Sequence, residues 1–161
     1  MSTQTEESKL QVVAWLNLQQ ANRVLDGIIE RRLRAETGLS TAEYEVLLRL
    51  RFSAGHPLQM SEIAALLLSS PSGTTRIADR LEKDGLITRE TPPDNRRVVR
   101  VTLTEGGRRA LERADTVFRD ALRESFAAHL SESELDELRR LMRKLLEGNG
   151  AWSESRCSPG D

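Results

Sequence analysis

Two short runs rich in β-branched residues, Leu86-Ile87-Thr88-Arg89 and Val98-Val99-Arg100-Val101-Thr102-Leu103, flank the turn-rich stretch Thr91-Pro92-Pro93-Asp94-Asn95-Arg96-Arg97. Partial alternation predicts two strands, and the Pro/Asp/Asn cluster predicts a long polar turn between them. Elsewhere in the 161 residues the apolar spacing is helical. A lone hairpin set among helices narrows the fold to a mostly α architecture with a small β wing. The tip of that hairpin carries Arg96 and Arg97 and has no core to serve.

The helical pattern runs in order along the chain. Leu10, Val13, Trp15, Leu18, Ala21, Val24, Leu25, Ile28, Ile29 and Leu33 recur at helical spacing, and Gly38 predicts the stop. This apolar stripe is wide, so the first helix has more than one surface to bury. Ser40-Thr41-Ala42-Glu43 reads as a capping box opening a second helix with Tyr44, Val46, Leu47, Leu48 and Leu50. Gly55-His56-Pro57 ends it, Leu58-Gln59-Met60 predicts a very short strand, and Ser61 predicts the cap of a third helix. Ser70 followed by Pro71 predicts a cap and first turn, because proline's fixed φ suits that position and its missing donor is not needed there. This fourth helix runs to Lys83, with Asp84-Gly85 as its end. After the hairpin come a fifth helix (Leu111, Ala114, Phe118, Ala121, Leu122) and a sixth (Leu135, Leu138, Leu141, Met142, Leu145, Leu146), the latter opened by a capping box at Ser131–Glu134. The order predicts a single winged helix-turn-helix domain over 8–147, with a winged-helix lobe at about 40–104 and dimerisation helices at about 8–37 and 105–147. Residues 1–7 and 148–161 are expected to be disordered.

Charge is informative through its placement. The formal net charge is -1, yet between Arg76 and Arg109 nine basic residues face six acidic ones. On the fourth helix, Gly73, Ile77 and Leu81 share one face and are expected to pack on the core, while Ser72, Arg76, Asp79, Arg80 and Lys83 lie opposite. Short hydroxyls near a helix N-terminus with arginines further along suit the major groove, since arginine reads guanine bidentately or grips phosphate. The candidate DNA-contacting residues are Ser70, Ser72, Thr74, Thr75, Arg76, Arg80, Arg96 and Arg97. A basic hairpin tip beside a basic helix grips two grooves at once, arginine favouring a narrow minor groove. The competing reading is a winged helix that contacts only other proteins, which has no need of this arginine set.

Other classes are excluded by what the sequence lacks. Phosphate loop, nucleophile elbow and Rossmann glycine fingerprint are all missing, so an enzyme is not expected. His56 and His129 have no ligand spacing, and neither metal nor cofactor is expected. The single cysteine, Cys157, forbids an internal disulfide. No apolar run is long enough to span a membrane, and Met1–Lys9 carries no hydrophobic secretory core, so a soluble cytoplasmic protein is expected.

The stretch from Leu58 to Gly106 resembles the DNA-binding lobe of MarR-family regulators. The residues carrying the resemblance are Ile63-Ala64-Ala65-Leu66, the run from Thr74 to Glu82, Asp84-Gly85-Leu86-Ile87, and Asn95-Arg96-Arg97 leading to Val101–Gly107. With the terminal helices the likeness covers residues 8–147. It implies a homodimer formed through the first and last two helices, duplex DNA as partner, repression of transcription, and release by a small, aromatic or anionic effector bound between the lobes. The family wing carries Asp-x-Arg. Here the Asp position holds Asn95 and the Arg position Arg97, with Asp94 next door as a substitute carboxylate. A urate-responsive subgroup uses a tryptophan, a carboxylate and a recognition-helix arginine, which match Trp15, Glu45 and Arg76.

Overall fold

The computed structural model describes residues 2–153 apart from Ala54 and Asp94, with side chains from Lys9 onward. Helix α1 spans Ser2–Thr37 and α2 Thr41–Phe52; a two-residue strand β1 (Leu58–Gln59) precedes α3 (Met60–Leu66) and α4 (Pro71–Lys83). Strands β2 (Ile87–Glu90) and β3 (Arg100–Leu103) form the hairpin, followed by α5 (Glu105–Ser125), a single 3₁₀ turn and α6 (Glu132–Gly148). This is the mostly helical, winged helix-turn-helix arrangement that the spacing predicts.

The helix starts are set by local hydrogen bonding. At α2, Ser40 Oγ accepts from Glu43 N (3.1 Å) and Glu43 Oε2 accepts from Ser40 N (2.7 Å), a complete capping box. Ser131 and Glu134 repeat it at α6. Gly38, at φ +78°, closes α1 by donating to Arg34 O. The sheet has the order β1-β3-β2, antiparallel throughout, with Leu58 opposite Val101 and Ile87 opposite Leu103. Its inner face adds Ile87, Val101 and Leu103 to a core built on Leu33, Tyr44, Leu47, Ile63, Leu81 and Leu111. Tyr44 fastens α2 to α5: its ring stacks on Phe118 and its hydroxyl donates to Asp115 Oδ1 at 2.8 Å. Burial and the Asp115 carboxylate both push the Tyr44 phenol above its ordinary range.

Four expectations are corrected. The backbone is helical from Ser2, where a disordered 1–7 segment was expected; no glycine or proline interrupts the run, so α1 propagates back through it. Beyond Gly148 the chain is ordered as far as Ser153: Ala151 N donates to Leu146 O (2.8 Å), Gly150 sits at φ +64°, and the Arg143 guanidinium lies 4.8 Å from the Trp152 ring centroid. The remainder of the expected tail, Cys157 included, lies outside the described residues. Helix α3 starts two residues early, with Gln59 and not Ser61 at the cap, because Glu62 Oε2 accepts from Gln59 N at 2.6 Å. The core face of α4 also differs: Thr74, Ala78 and Leu81 are buried, whereas Gly73 and Ile77 are only half-buried.

Candidate nucleic-acid interface

Helix α4 is aimed by the turn that precedes it. Leu68 adopts φ +51°, uncommon for a residue with a side chain, and Ser69 N donates back to Ala64 O. Ser70 then caps α4 by accepting from Gly73 N at 3.2 Å, with Pro71 in the first turn. Thr74, expected on the contact face, is 1 % exposed. Its hydroxyl donates to Ser70 O (3.1 Å) and shares a 2.6 Å hydrogen bond with Ser69 Oγ. A threonine at a core position stays buried because both polar capacities are met within the turn. It therefore stiffens the turn and cannot touch a ligand.

The solvent face of α4 carries Ser72, Thr75, Arg76, Asp79, Arg80 and Lys83. At about 100° per residue, Arg76 points directly away from the Thr74-Ala78-Leu81 stripe. Thr75 Oγ1 donates to Pro71 O at 2.9 Å and keeps its lone pairs for an outside donor. Arg76 has no ion pair among the described residues, whereas the neighbouring arginines Arg80 and Arg89 are engaged. Arg89 on β2 holds Glu82 through Nε (2.9 Å) and Asp79 at 2.7 Å, which stitches the wing to α4. That guanidinium also keeps the Glu82 carboxyl below its ordinary range. The two acids thus share one guanidinium, and Arg76 and Lys83 are the basic groups of the outer face left without an ion pair among the described residues. Arg80 is turned sideways onto Glu43 of α2 at 2.9 Å.

Across from α4, the wing is shaped by Asn95. Its backbone N donates to Pro92 O, its own carbonyl accepts from Val98 N, and its side-chain Oδ1 accepts from Arg97 N at 3.2 Å. Asn95 therefore builds an Asx turn at the position where the family pattern has Asp. The Arg97 side chain is left unpaired among the described residues, and Asp94 lies outside them. Arg96 and Arg97 are both exposed. A cleft of ≈ 260 Å³ lies between the wing and the starts of α3 and α4, lined by residues that include Ser61, Thr75 and Arg97. The structure thus brings Thr75 and Arg97 to one cleft and leaves Ser70, Ser72, Arg76 and Arg96 exposed, whereas Thr74 is buried.

The three residues matched to a urate site are not gathered within one chain. Glu45 lines a shallow cleft of ≈ 470 Å³ with Asp26, Gly27, Glu30, Thr41 and Ala42. Burial pushes its carboxyl up, opposed by Arg49 and reinforced by Asp26. Trp15 stands 58 % exposed, eleven residues before Asp26 and so about 16 Å away along the α1 axis. Neither Trp15 nor Arg76 lines that cleft, and its three carboxylates repel an anion.

What the sequence reading missed is Glu43 as a partner for Arg80. Its place in the capping box is visible in the sequence, but its second oxygen is committed to a residue 37 positions away.

Comparison with known proteins places this geometry. The MarR family model matches residues 39–99, which holds the helix-turn-helix and most of the wing. The transcriptional repressor MprA of Escherichia coli (strain K12) is 35% identical over 116 residues, covering 72% of this chain and 65% of the repressor. The chain therefore spans just under two thirds of that relative's length. An uncharacterised HTH-type transcriptional regulator of Bacillus subtilis (strain 168), YhbI, is 32% identical over 113 residues, covering 68% of this chain and 71% of its own. A MarR family transcriptional regulator from Streptomyces coelicolor, solved in complex with DNA, superposes with a TM-score of 0.79 at 28% identity over 88% of both chains. With the overall fold in agreement with that solved structure and the sequence with these relatives, the chain belongs to the MarR family.

Proposed function

We propose that the protein is a transcriptional repressor that binds duplex DNA as a homodimer, each copy laying α4 in a major groove and its wing in the adjacent minor groove. The observation that carries this reading is Arg76: an exposed arginine with no ion pair among the described residues, opposite the core-facing stripe of a capped helix whose first turn shares a cleft with the wing residue Arg97. An arginine left unpaired in this way retains five donors in a planar fork for a guanine edge or a phosphate. The positive N-terminal end of α4 and the Arg97 guanidinium border the same cleft, lined by Pro71, Thr75 and Arg97, and suit a phosphate there. A cytoplasmic site of action follows from this role. The relatives favour DNA over a protein-only partner, since a related structure is itself a DNA complex.

Selection from a random pool of duplexes tests the proposal directly. A two-fold dimer is expected to recover a pseudo-palindrome with half-sites about 10 bp apart or a multiple of that. Failure to enrich any duplex at low salt overturns it. Two substitutions separate the roles within the interface. Arg76→Ala is expected to cost about 1–3 kcal/mol of operator binding and to relax the preference at one base pair. Arg97→Ala is expected to weaken all duplexes alike and to reduce the salt slope by about one. Fluorescence anisotropy over a salt series against operator variants measures both.

A further inference from the structure

The Glu43–Arg80 pair has a geometry that direct DNA reading does not explain. The Glu43 side chain is 5 % exposed, and each of its oxygens has a separate task. Oε2 accepts from Ser40 N at 2.7 Å, and Oε1 accepts from Arg80 Nε at 2.9 Å. A buried carboxylate is costly unless it is paired and hydrogen-bonded, so the position of Arg80 is dictated by Glu43. The start of α2 is itself tied to α1, because Thr41 N donates to Glu30 Oε2 at 2.6 Å. A continuous series of direct contacts therefore leads from α1 through the first turn of α2 to α4, and it meets α4 one turn beyond Arg76.

We infer that Arg80 is a positioning residue: its pairing with the buried Glu43 carboxylate fixes the rotation of α4 about its axis relative to α1 and α2, and so aims Arg76. This rests on the DNA-binding reading above. A helix of this length can pivot on the Thr74-Ala78-Leu81 stripe, and apolar packing on a stripe resists rotation weakly compared with a directed Nε–H···O bond at the flank. Lysine cannot substitute, because it offers a compact ammonium and not a planar donor fork.

The test uses the full chain, with operator and scrambled duplexes, on Arg80→Lys, Glu43→Gln and the double variant. Dimer content and melting temperature are followed in parallel. Positioning predicts that Arg80→Lys and Glu43→Gln each lose about tenfold in operator affinity while scrambled-duplex affinity stays within about twofold, and that the double variant is no worse than the singles. Glu43→Gln keeps the capping side chain and leaves Arg80 in place. An arginine that simply grips phosphate therefore predicts unchanged or tighter binding for Glu43→Gln, retained binding for Arg80→Lys, and equal effects on both duplexes. Any of those results overturns the inference. A loss on both duplexes that tracks a fallen melting temperature also overturns it, by reducing the pair to fold support. Wild-type protein that binds neither duplex defeats the DNA-binding reading instead.

Discussion

Gly107→Ala is expected to destabilise the protein by about 3 kcal/mol or more, at the upper end for overpacking a core, and to lower its melting temperature by roughly 6–12 °C. A Cβ at this position would stand 2.1 Å from Leu86 O and 2.7 Å from Leu103 Cδ1. The leucine end could move, but the carbonyl cannot. Leu86 O accepts from Thr104 N at 3.1 Å, and the neighbouring Gly85 O accepts from Thr104 Oγ1 at 2.8 Å. Thr104 in turn caps α5 by accepting from Gly107 N at 2.9 Å. The turn leaving α4, the start of β2 and the first turn of α5 are thereby laced into one knot. Gly107 is the point at which two backbones meet without a side chain between them. Forcing them apart breaks the cap and shifts α5 against the wing. Gly27→Ala is the control within the same chain. No atom lies within 4 Å of its would-be Cβ, and it sits inside α1. Replacing it is expected to stabilise by about 0.5–1 kcal/mol through helix propensity. Thermal unfolding by circular dichroism measures both, and equal melting temperatures for Gly107→Ala and wild type would refute the argument.

The contrast between those two glycines also describes how far the sequence could be read. Features governed by a few neighbouring residues were legible. The capping boxes at Ser40 and Ser131, the Ser70-Pro71 start, the Gly38 stop and the β-branched hairpin runs all stand where local physics put them. The family motifs pointed to the candidate interface, and the structure leaves Arg76, Arg96 and Arg97 of it exposed. What escaped was decided by contacts between distant segments. Thr74 reads as a surface hydroxyl until Ser69 and Ser70 close around it. Arg80 reads as a groove residue until α2 brings Glu43 alongside. Nothing in the spacing of Gly107 announces that Leu86 will pass above it. The Trp15, Glu45 and Arg76 set matched a pattern of residue types, but α1 is too long for Trp15 to reach the cleft beside Glu45 within one chain.

Leu16→Asp and Leu145→Asp, made separately, are each expected to convert a dimer into a folded monomer and to reduce operator affinity by a hundredfold or more, on the order of an avidity loss. In α1, the side chains of Leu10, Val12, Val13, Trp15, Leu16 and Leu18 are between 38 % and 70 % exposed. At about 100° per residue they point in all directions around the axis, and a helix apolar on every side requires cover on every side. Helix α6 is sharply amphipathic but has no buried residue, and Leu141 and Leu145 stand exposed on its apolar stripe. Little of the chain's own core lies against either surface, since α5 packs on the later part of α1 around Ile29 and Leu33. In the homodimer proposed above, a second copy related by a two-fold axis would cover both at once, because the surface that needs a partner is also the surface that supplies one. An aspartate there is solvated in the monomer and unpaired in the dimer, which costs roughly 3–5 kcal/mol on association only. The expected signature is therefore selective. Sedimentation shows the monomer, circular dichroism retains its helical spectrum, and the melting temperature loses its dependence on protein concentration. Half-sites are then bound singly and weakly. If both variants sediment as dimers with wild-type affinity for the operator, the terminal helices are not the interface, and their apolar surfaces need another partner.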